Sequence, residues 1–316
     1  MDIHHIICDG WSQAILFSDF LKLYKGLPLN PLPIQYKDYA EWEYGFRRTE
    51  QYMAQREFWL RSFETGIPRL NWPTINKNEK GIWESGGSVT FKIDSDTVIP
   101  LKKALEKEQI TTFSGLFACF FIFLLQLTGD EDIVVGTNTA GRMQHETEGV
   151  AGMFAKTLPV RRQLDVNMPF MEFAKDMHTY LSEAFSRQMY DLSDIVNALN
   201  RNAAAPVESM FDVMFVLHDF ENDQPGDPAT FARYEYEHTT SKYPMTLFVS
   251  ETPAALEFRM EYSAAYFTGS DIELIIGQFR DLVIKISENP GSRMIEYISN
   301  NIVPSHFIDD DITFNF

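Results

Sequence analysis

The stretch His4-His5-Ile6-Ile7-Cys8-Asp9-Gly10 decides the fold and carries most of what the sequence says about function. Residues 3–10 have the apolar content of a strand, and residues 11–24 repeat apolar side chains at helical spacing. The pattern therefore predicts two imidazoles at the end of a strand and an Asp-Gly pair at the start of a helix. There the aspartate can cap the helix or hold the turn, and the glycine permits a tight turn. Chance alone gives two histidines, an aspartate and a glycine at the spacing of His4, His5, Asp9 and Gly10 in well under roughly one in a thousand chains of this size.

Composition limits the classes of function that the chain can have. The 316 residues are 45% hydrophobic and include 26 phenylalanines, which is enough for a large buried core. The net charge of −18 argues against binding to nucleic acids or anionic membranes, although an acidic surface is also common for solubility alone. Cys8 and Cys119 form neither a disulfide framework nor a zinc pattern. The sequence has no signal-peptide pattern, and the apolar run 113–127 is too short to span a bilayer, so we expect a buried helix there and a cytoplasmic protein.

Downstream of the motif, helical and strand-like patterns alternate without a strict rhythm, which favours an α/β fold with mixed sheets. Residues 68–87 contain prolines and glycines with few periodic apolar positions and are typical of a linker. We predict Ser270 as the N-cap of the last helix. The predicted helices are 11–24, 36–63, 96–108, 112–127, 169–188 and 270–287, and the predicted strands are 88–93, 132–139, 157–164, 211–217, 231–237, 245–249 and 255–262.

Four segments of the sequence resemble the motifs of one known protein family. HHIICDG at residues 4–10 matches the signature HHxxxDG, and LPIQYKDYAEW at residues 32–42 resembles LPIQYxDYAxW. DIVVG at residues 132–136, followed by Gly141-Arg142, resembles DIVVGxxxxGR, and GMFAKTLPVR at residues 152–161 resembles GxFxNTLPLR. In sequence and in order these four motifs resemble those of the condensation domains of nonribosomal peptide synthetases, which belong to the chloramphenicol-acetyltransferase-like acyltransferases. We expect the resemblance to run from residue 1 to about residue 300.

The resemblance implies a two-lobed chloramphenicol-acetyltransferase-like α/β fold with mixed sheets. We expect residues 1–80 to be the remainder of the N-terminal lobe, which carries the HHxxxDG motif, and residues 81–300 to be the C-terminal lobe. Residues 301–316 are expected to be a tail or a linker. Family members carry a long segment before the motif, so we expect the N-terminal lobe to be incomplete. The chain alone is then expected to be weakly active or inactive, because sheet edges stay unpaired and the channel is open to water.

The resemblance also implies the chemistry and the site. Family members join a donor thioester to the amine of an acceptor, both carried on the phosphopantetheine arms of carrier domains. His5 matches the second histidine of the signature and is the expected catalytic residue, because an imidazole can take up a proton from the attacking amine or bind it near neutral pH. Whether His5 is a general base or a positioning group stays open. His4, Asp9 and Gly10 are expected to support the motif, and Arg142 is a candidate ion-pair partner of Asp9.

The expected partners are donor and acceptor peptidyl carrier domains and neighbouring synthetase domains such as adenylation domains, with no nucleic acid and no membrane. No cofactor or metal is expected in this domain, since Walker A, GxGxxG and GxSxG patterns are absent from the sequence. The chain departs from the family at Lys156, where relatives carry asparagine. Three alternatives remain: an epimerization domain, a CoA-dependent acyltransferase of the same superfamily, and an inactive fragment or carrier-protein docking module.

Overall fold

The computed structural model describes residues 3–72, 85–201, 206–217, 240–252 and 254–298. The predicted strand 231–237 and the tail 301–316 lie outside these ranges, and the linker 68–87 lies largely outside them. The helices are α1 Gly10–Tyr24, α2 Tyr36–Phe46, α3 Glu50–Ser62, α4 Ser95–Lys107, α5 Thr112–Thr128, α6 Phe170–Ser186, α7 Leu192–Asn200 and α8 Gly269–Glu288. The strands are β1 Gly86–Asp94, β2 Asp132–Thr139, β3 Lys156–Gln163, β4 Val213–Leu217, β5 Met245–Glu251 and β6 Ala255–Ser263.

The strands of the described residues form one mixed sheet in the order β1-β6-β5-β4-β2-β3. Strand β4 runs parallel to both of its neighbours, β2 and β5. The outer pairs, β1 with β6 and β2 with β3, are antiparallel. The mixed sheet confirms the predicted α/β class, while the division into residues 1–80, 81–300 and 301–316 stays a prediction.

Helix α5 lies in the centre of the hydrophobic core, as its apolar composition predicts. Every residue from 114 to 127 is buried. The side chain of Thr111 caps the helix, and Gly129 ends it in the left-handed conformation with φ 76°. The ring of Phe117 packs on the ring of Phe215 in β4, with 5.1 Å between centroids. Because each such side chain contributes about 1.5–3 kcal/mol on burial, α5 anchors the sheet.

The other helices differ from α5 in exposure. Trp11, Phe20 and Leu23 of α1 each expose half or more of their surface, so the apolar spacing of α1 does not mark a face buried among the described residues. Within these residues no single helix has both the length and the apolarity to cross a bilayer. Only α4 and α5 taken together pass that test, and they are bent by 112° with respect to each other.

Two predicted helix boundaries are wrong. The single helix predicted over residues 36–63 is two helices, because the side chain of Thr49 accepts a hydrogen bond from the amide of Tyr52 and starts α3 afresh. The predicted cap Ser270 lies inside α8. Thr268 is the cap instead, and it forms a reciprocal capping box with Asp271.

Candidate active site

The HHxxxDG motif does not form the strand predicted over residues 3–10. His5–Ile7 make a single 3₁₀ turn, and α1 begins at Gly10. The turn is favoured locally, because Nδ1 of His4 accepts a hydrogen bond from the amide of Ile6 at 3.2 Å. A side chain that binds nearby backbone competes with strand pairing. The imidazoles therefore lie on an exposed turn rather than at the end of a strand.

The hydrogen bond of His5 assigns its tautomer. Nδ1 of His5 lies 2.8 Å from the carbonyl oxygen of Cys8. A carbonyl oxygen only accepts hydrogen bonds, so Nδ1 carries the proton and Nε2 of the neutral ring is free to accept one. In His4 the assignment is reversed, because its Nδ1 is the acceptor. Of the two rings, His5 is thus the one whose outer nitrogen can act as a base.

Asp9 is buried and fastens the motif to a distant loop. Its Oδ1 accepts a hydrogen bond from the amide of Ser12 at 2.8 Å, which caps α1. Its Oδ2 accepts hydrogen bonds from the amides of Phe154 at 3.0 Å and Ala155 at 3.2 Å. Nη2 of Arg142 lies 3.3 Å from Oδ1, so one carboxylate joins the start of α1 to the segment that leads into β3.

These contacts keep the Asp9 carboxylate charged. Burial by itself would raise the pKa of Asp9, but the hydrogen bonds from Ser12 and Phe154 and the charge of Arg142 outweigh burial and lower the pKa. Hydrogen bonds and an opposite charge both favour the ionised form of a carboxyl group. The ion pair with Arg142 is therefore complete at neutral pH.

The buried side chain of Arg142 holds the loop between β2 and β3 together by hydrogen bonds. That side chain is 3% exposed. Nη2 also donates to Oγ of Ser12 at 2.9 Å, and Nη1 donates to carbonyl oxygens of its own loop, including that of Val150 at 2.8 Å. The guanidinium lies 4.1 Å from the ring centroid of Phe154. Burial lowers the pKa of Arg142, yet a guanidinium stays charged at any physiological pH.

Gly152 lies between α1 and α2. Oγ of Ser12 donates to the Gly152 carbonyl oxygen at 2.7 Å and accepts from the Gly152 amide at 2.9 Å. A Cβ atom at position 152 would clash with the ring of Tyr36 on α2. The hydroxyl of Tyr36 in turn donates to the carbonyl oxygen of Met153 at 2.8 Å. The loop is thus held from both sides, and glycine is required where it passes closest to α2.

Lys156 begins β3 and forms an ion pair with Glu43 on α2. Nζ of Lys156 lies 2.6 Å from Oε1 of Glu43, and the two side chains are 12% and 18% exposed. Sequence reasoning singled out Lys156 only as a departure from the family and missed both Glu43 and Ser12. A signal existed for Ser12, which stands three residues after the capping Asp9, but none existed for Glu43.

The structure brings some of the predicted site residues together. Asp9 and Arg142 are in contact, whereas His4 and His5 contact the backbone of their own turn. Gly10 begins α1, its φ is not positive and a Cβ atom there would meet nothing within 4 Å, so neither backbone conformation nor crowding requires glycine at this position. In the described part of the chain, no group of three or more His, Cys, Asp or Glu side chains could hold a metal ion.

Comparison with known proteins gives one family for nearly the whole chain. A family model described as Condensation domain matches residues 1–301. Bacitracin synthase 3 of Bacillus licheniformis is 33% identical to the chain over 291 residues, a match that covers 92% of the chain. The chain spans only 5% of the length of that relative.

Two solved structures show the same fold. The condensation domain from the monacolin K polyketide synthase MokA has a TM-score of 0.76 at 17% identity, and the match covers 92% of this chain and 69% of that one. A four-domain nonribosomal peptide synthetase bound to AMP and glycine has a TM-score of 0.78 at 17% identity, covering 96% of this chain and 24% of that one. At these identities the likeness establishes the fold alone, and it confirms the predicted fold class.

Proposed function

The chain belongs to the condensation-domain family, and on that premise we propose that it forms an amide bond between two carrier-bound substrates in nonribosomal peptide synthesis. The donor is an aminoacyl or peptidyl thioester on one carrier domain, and the acceptor is an aminoacyl thioester on another. The similarity in sequence to bacitracin synthase 3 supports this class of reaction. Each substrate is held on the phosphopantetheine arm of its carrier domain, which makes those domains and their neighbours the partners.

The reaction needs a group that handles one proton. The acceptor's α-amine attacks the donor's thioester carbonyl carbon, a C–N bond forms, and the C–S bond breaks. The nitrogen loses a proton and the departing thiolate gains one, so the products are an amide and a free thiol. An imidazole with an unprotonated outer nitrogen can take up the proton or accept a hydrogen bond from the amine. Holding two tethered reactants side by side supplies much of the remaining acceleration.

One observation carries the assignment of this role to His5. Its Nδ1 is committed to the carbonyl oxygen of Cys8, which leaves Nε2 as the acceptor on an exposed ring. The Asp9–Arg142 ion pair stabilises the turn, because Asp9 directly follows Cys8 and is itself held by hydrogen bonds from three backbone amides. We assign Asp9 and Arg142 to positioning and His5 to contact with the substrate.

The test is amide formation with defined substrates. Two carrier proteins are loaded with different aminoacyl-phosphopantetheine thioesters and incubated with the chain, and the dipeptidyl thioester is measured by mass spectrometry of the intact carrier. From the sequence we expect the chain alone to be weakly active, so the wild-type chain should form product at a low but measurable rate, and His5→Ala should lower that rate at least about a hundredfold. The matched control is His145→Ala, whose side chain is 89% exposed, and it should leave the rate unchanged.

The same assay separates the alternatives. No product from the wild-type chain contradicts the proposed function and favours the inactive fragment or carrier-protein docking module, and an unchanged rate in His5→Ala removes His5 from the mechanism. Run in deuterated water, deuterium gain at the α-carbon of the loaded amino acid without dipeptide indicates epimerization. Product from a soluble acyl-CoA donor, in preference to the loaded carrier, indicates a CoA-dependent acyltransferase.

A further inference from the structure

Among the described residues, the ion pair between Lys156 and Glu43 is unusual for a Lys–Glu pair because both of its side chains are largely buried. With side chains 12% and 18% exposed, it is largely removed from water. The Lys92–Glu257 pair, in contrast, has side chains 64% and 26% exposed and lies on β1 and β6, at the other end of the sheet order. An unpaired charge in a poorly hydrated place is costly, so Lys156 and Glu43 depend on each other.

Lys156 also adjoins the segment that binds the motif aspartate. The two residues before it, Phe154 and Ala155, supply the amides that donate to Oδ2 of Asp9. Fixing the side chain of Lys156 on α2 therefore restricts the backbone that presents those amides. Helix α2 also contacts the same segment through aromatic rings, because the ring of Tyr39 lies 4.6 Å from the ring of Phe154.

A continuous set of contacts leads from this pair to the catalytic candidate. Glu43 binds Lys156, whose preceding amides bind Asp9, and Asp9 follows the residue whose carbonyl oxygen accepts the hydrogen bond of His5. We propose that the Lys156–Glu43 ion pair positions the amides of residues 154 and 155 as a receptor for the Asp9 carboxylate and so fixes the turn that carries His5. Lys156 acts through other groups and is a positioning residue. Only the kinetic part of the inference rests on the proposed function.

The first measurement is hydrogen–deuterium exchange, which does not depend on catalysis. Lys156→Met and Glu43→Gln each break the pair, and we expect roughly tenfold faster amide exchange in residues 152–158 and in residues 8–13. Lys92→Met breaks the exposed pair and serves as the matched control, with no change in either segment. All measurements are made well below the melting temperature of each variant, so that global unfolding does not contribute.

A double-mutant cycle tests whether the two charges act as a unit. Lys156→Asn installs the residue that the family motif carries, but it leaves the Glu43 carboxylate without a counter-charge. Adding Glu43→Gln removes that charge, and we expect the double variant to recover most of the exchange protection that Lys156→Asn loses. Lys156→Arg keeps the charge and should stay close to the wild-type protein. Additive effects in the double variant would contradict coupling.

The kinetic measurement is the amide-forming assay on the same variants. Because His5 is displaced rather than removed, we expect kcat to fall roughly ten- to a hundredfold in Lys156→Met, with little change in KM. Faster exchange with unchanged kcat overturns the link to His5, and unchanged exchange in both single variants overturns the positioning role. A lower melting temperature with unaltered exchange and kcat reduces the pair to a structural contact and also overturns the inference. If the wild-type chain forms no amide while exchange responds as expected, the proposed function fails and the positioning role stands.

Discussion

Asp9→Asn is the sharpest perturbation of the motif, because it removes a charge and leaves the shape of the side chain almost unchanged. The carboxylate accepts hydrogen bonds from the amides of Ser12, Phe154 and Ala155 and pairs with Arg142. Asparagine offers one acceptor oxygen and an NH₂ group that only donates. Whichever way the amide is turned, at least one of these donors faces another donor. Arg142 is left buried without its counter-charge.

The magnitude follows from the burial of the pair. Both side chains are 3% exposed. Removing one partner of such a pair costs about 3–5 kcal/mol, since the other charge stays buried and uncompensated. The capping of α1 contributes little to the difference, because asparagine caps a helix about as well as aspartate. We therefore expect the free energy of unfolding to fall by about 3–5 kcal/mol.

Urea unfolding followed by circular dichroism measures this change. With a slope of about 3 kcal/mol per molar urea, the midpoint should fall by roughly 1–1.7 M. Asp19→Asn on the same helix is the matched control. Asp19 is 37% exposed and pairs with Lys22 on the surface, so its loss should cost less than about 0.5 kcal/mol. A loss below about 1 kcal/mol in Asp9→Asn would refute the buried-pair reasoning.

The pH dependence gives an independent check of sign. The pKa of Asp9 is lowered in the folded chain, so the carboxylate stabilises the fold at pH values above its ordinary pKa of about 3.9. This contribution is lost as the pH falls through the lowered pKa. The difference in stability between the wild-type chain and Asp9→Asn should be full near neutral pH and shrink in acid. A difference that stays constant down to about pH 2 contradicts the assignment.

Three further predictions concern the surroundings of the site and the core. Gly141→Ala should lower the free energy of unfolding by about 1–3 kcal/mol and the melting temperature with it, because residue 141 has φ 68° and a Cβ atom would clash with the carbonyl oxygen of Phe154. An unchanged melting temperature would contradict this. Arg161→Met should lower the free energy of unfolding, measured with urea, by about 1–3 kcal/mol, because Arg161 is 15% exposed and binds Asp132 through two nitrogens. An unchanged free energy of unfolding would show that the contact contributes nothing to stability. Burial raises the pKa of the Cys119 thiol, so a thiol reagent should label Cys119 only after the chain unfolds. Rapid labelling of Cys119 in the native chain would contradict its burial.

Elements with strong local patterns are predictable from the sequence. Strand β2 and helix α5 lie where the apolar run 133–135 and the phenylalanine-rich segment place them. The turn at residues 5–7 was not predictable from the two isoleucines, whose composition favours a strand. The imidazoles of His4 and His5 decide it by binding nearby backbone atoms, and strand periodicity does not register such contacts. Helix α7 was missed although Asp191, which caps it, is a recognisable start signal.

The site divides in the same way. The cap formed by Asp9 is local and could be anticipated, and Arg142 was suggested only because a family motif contains it. The contact of Lys156 with Glu43 joins residues 113 positions apart and depends on how α2 packs against β3. No periodicity or motif in one sequence records such packing. Two buried oppositely charged residues far apart in the chain become partners only when the fold is known.

The order of strands in the sheet has a consequence for how the chain acquires its structure during synthesis. Of the described strands β1 is translated first, yet it pairs only with β6, which is the last. At about 5–20 residues per second, the ribosome needs roughly 10–35 s to deliver that neighbour. Until then β1 lacks its one partner among the described strands, and the charges of Lys92 and Asp94 at its exposed positions disfavour association with other nascent chains.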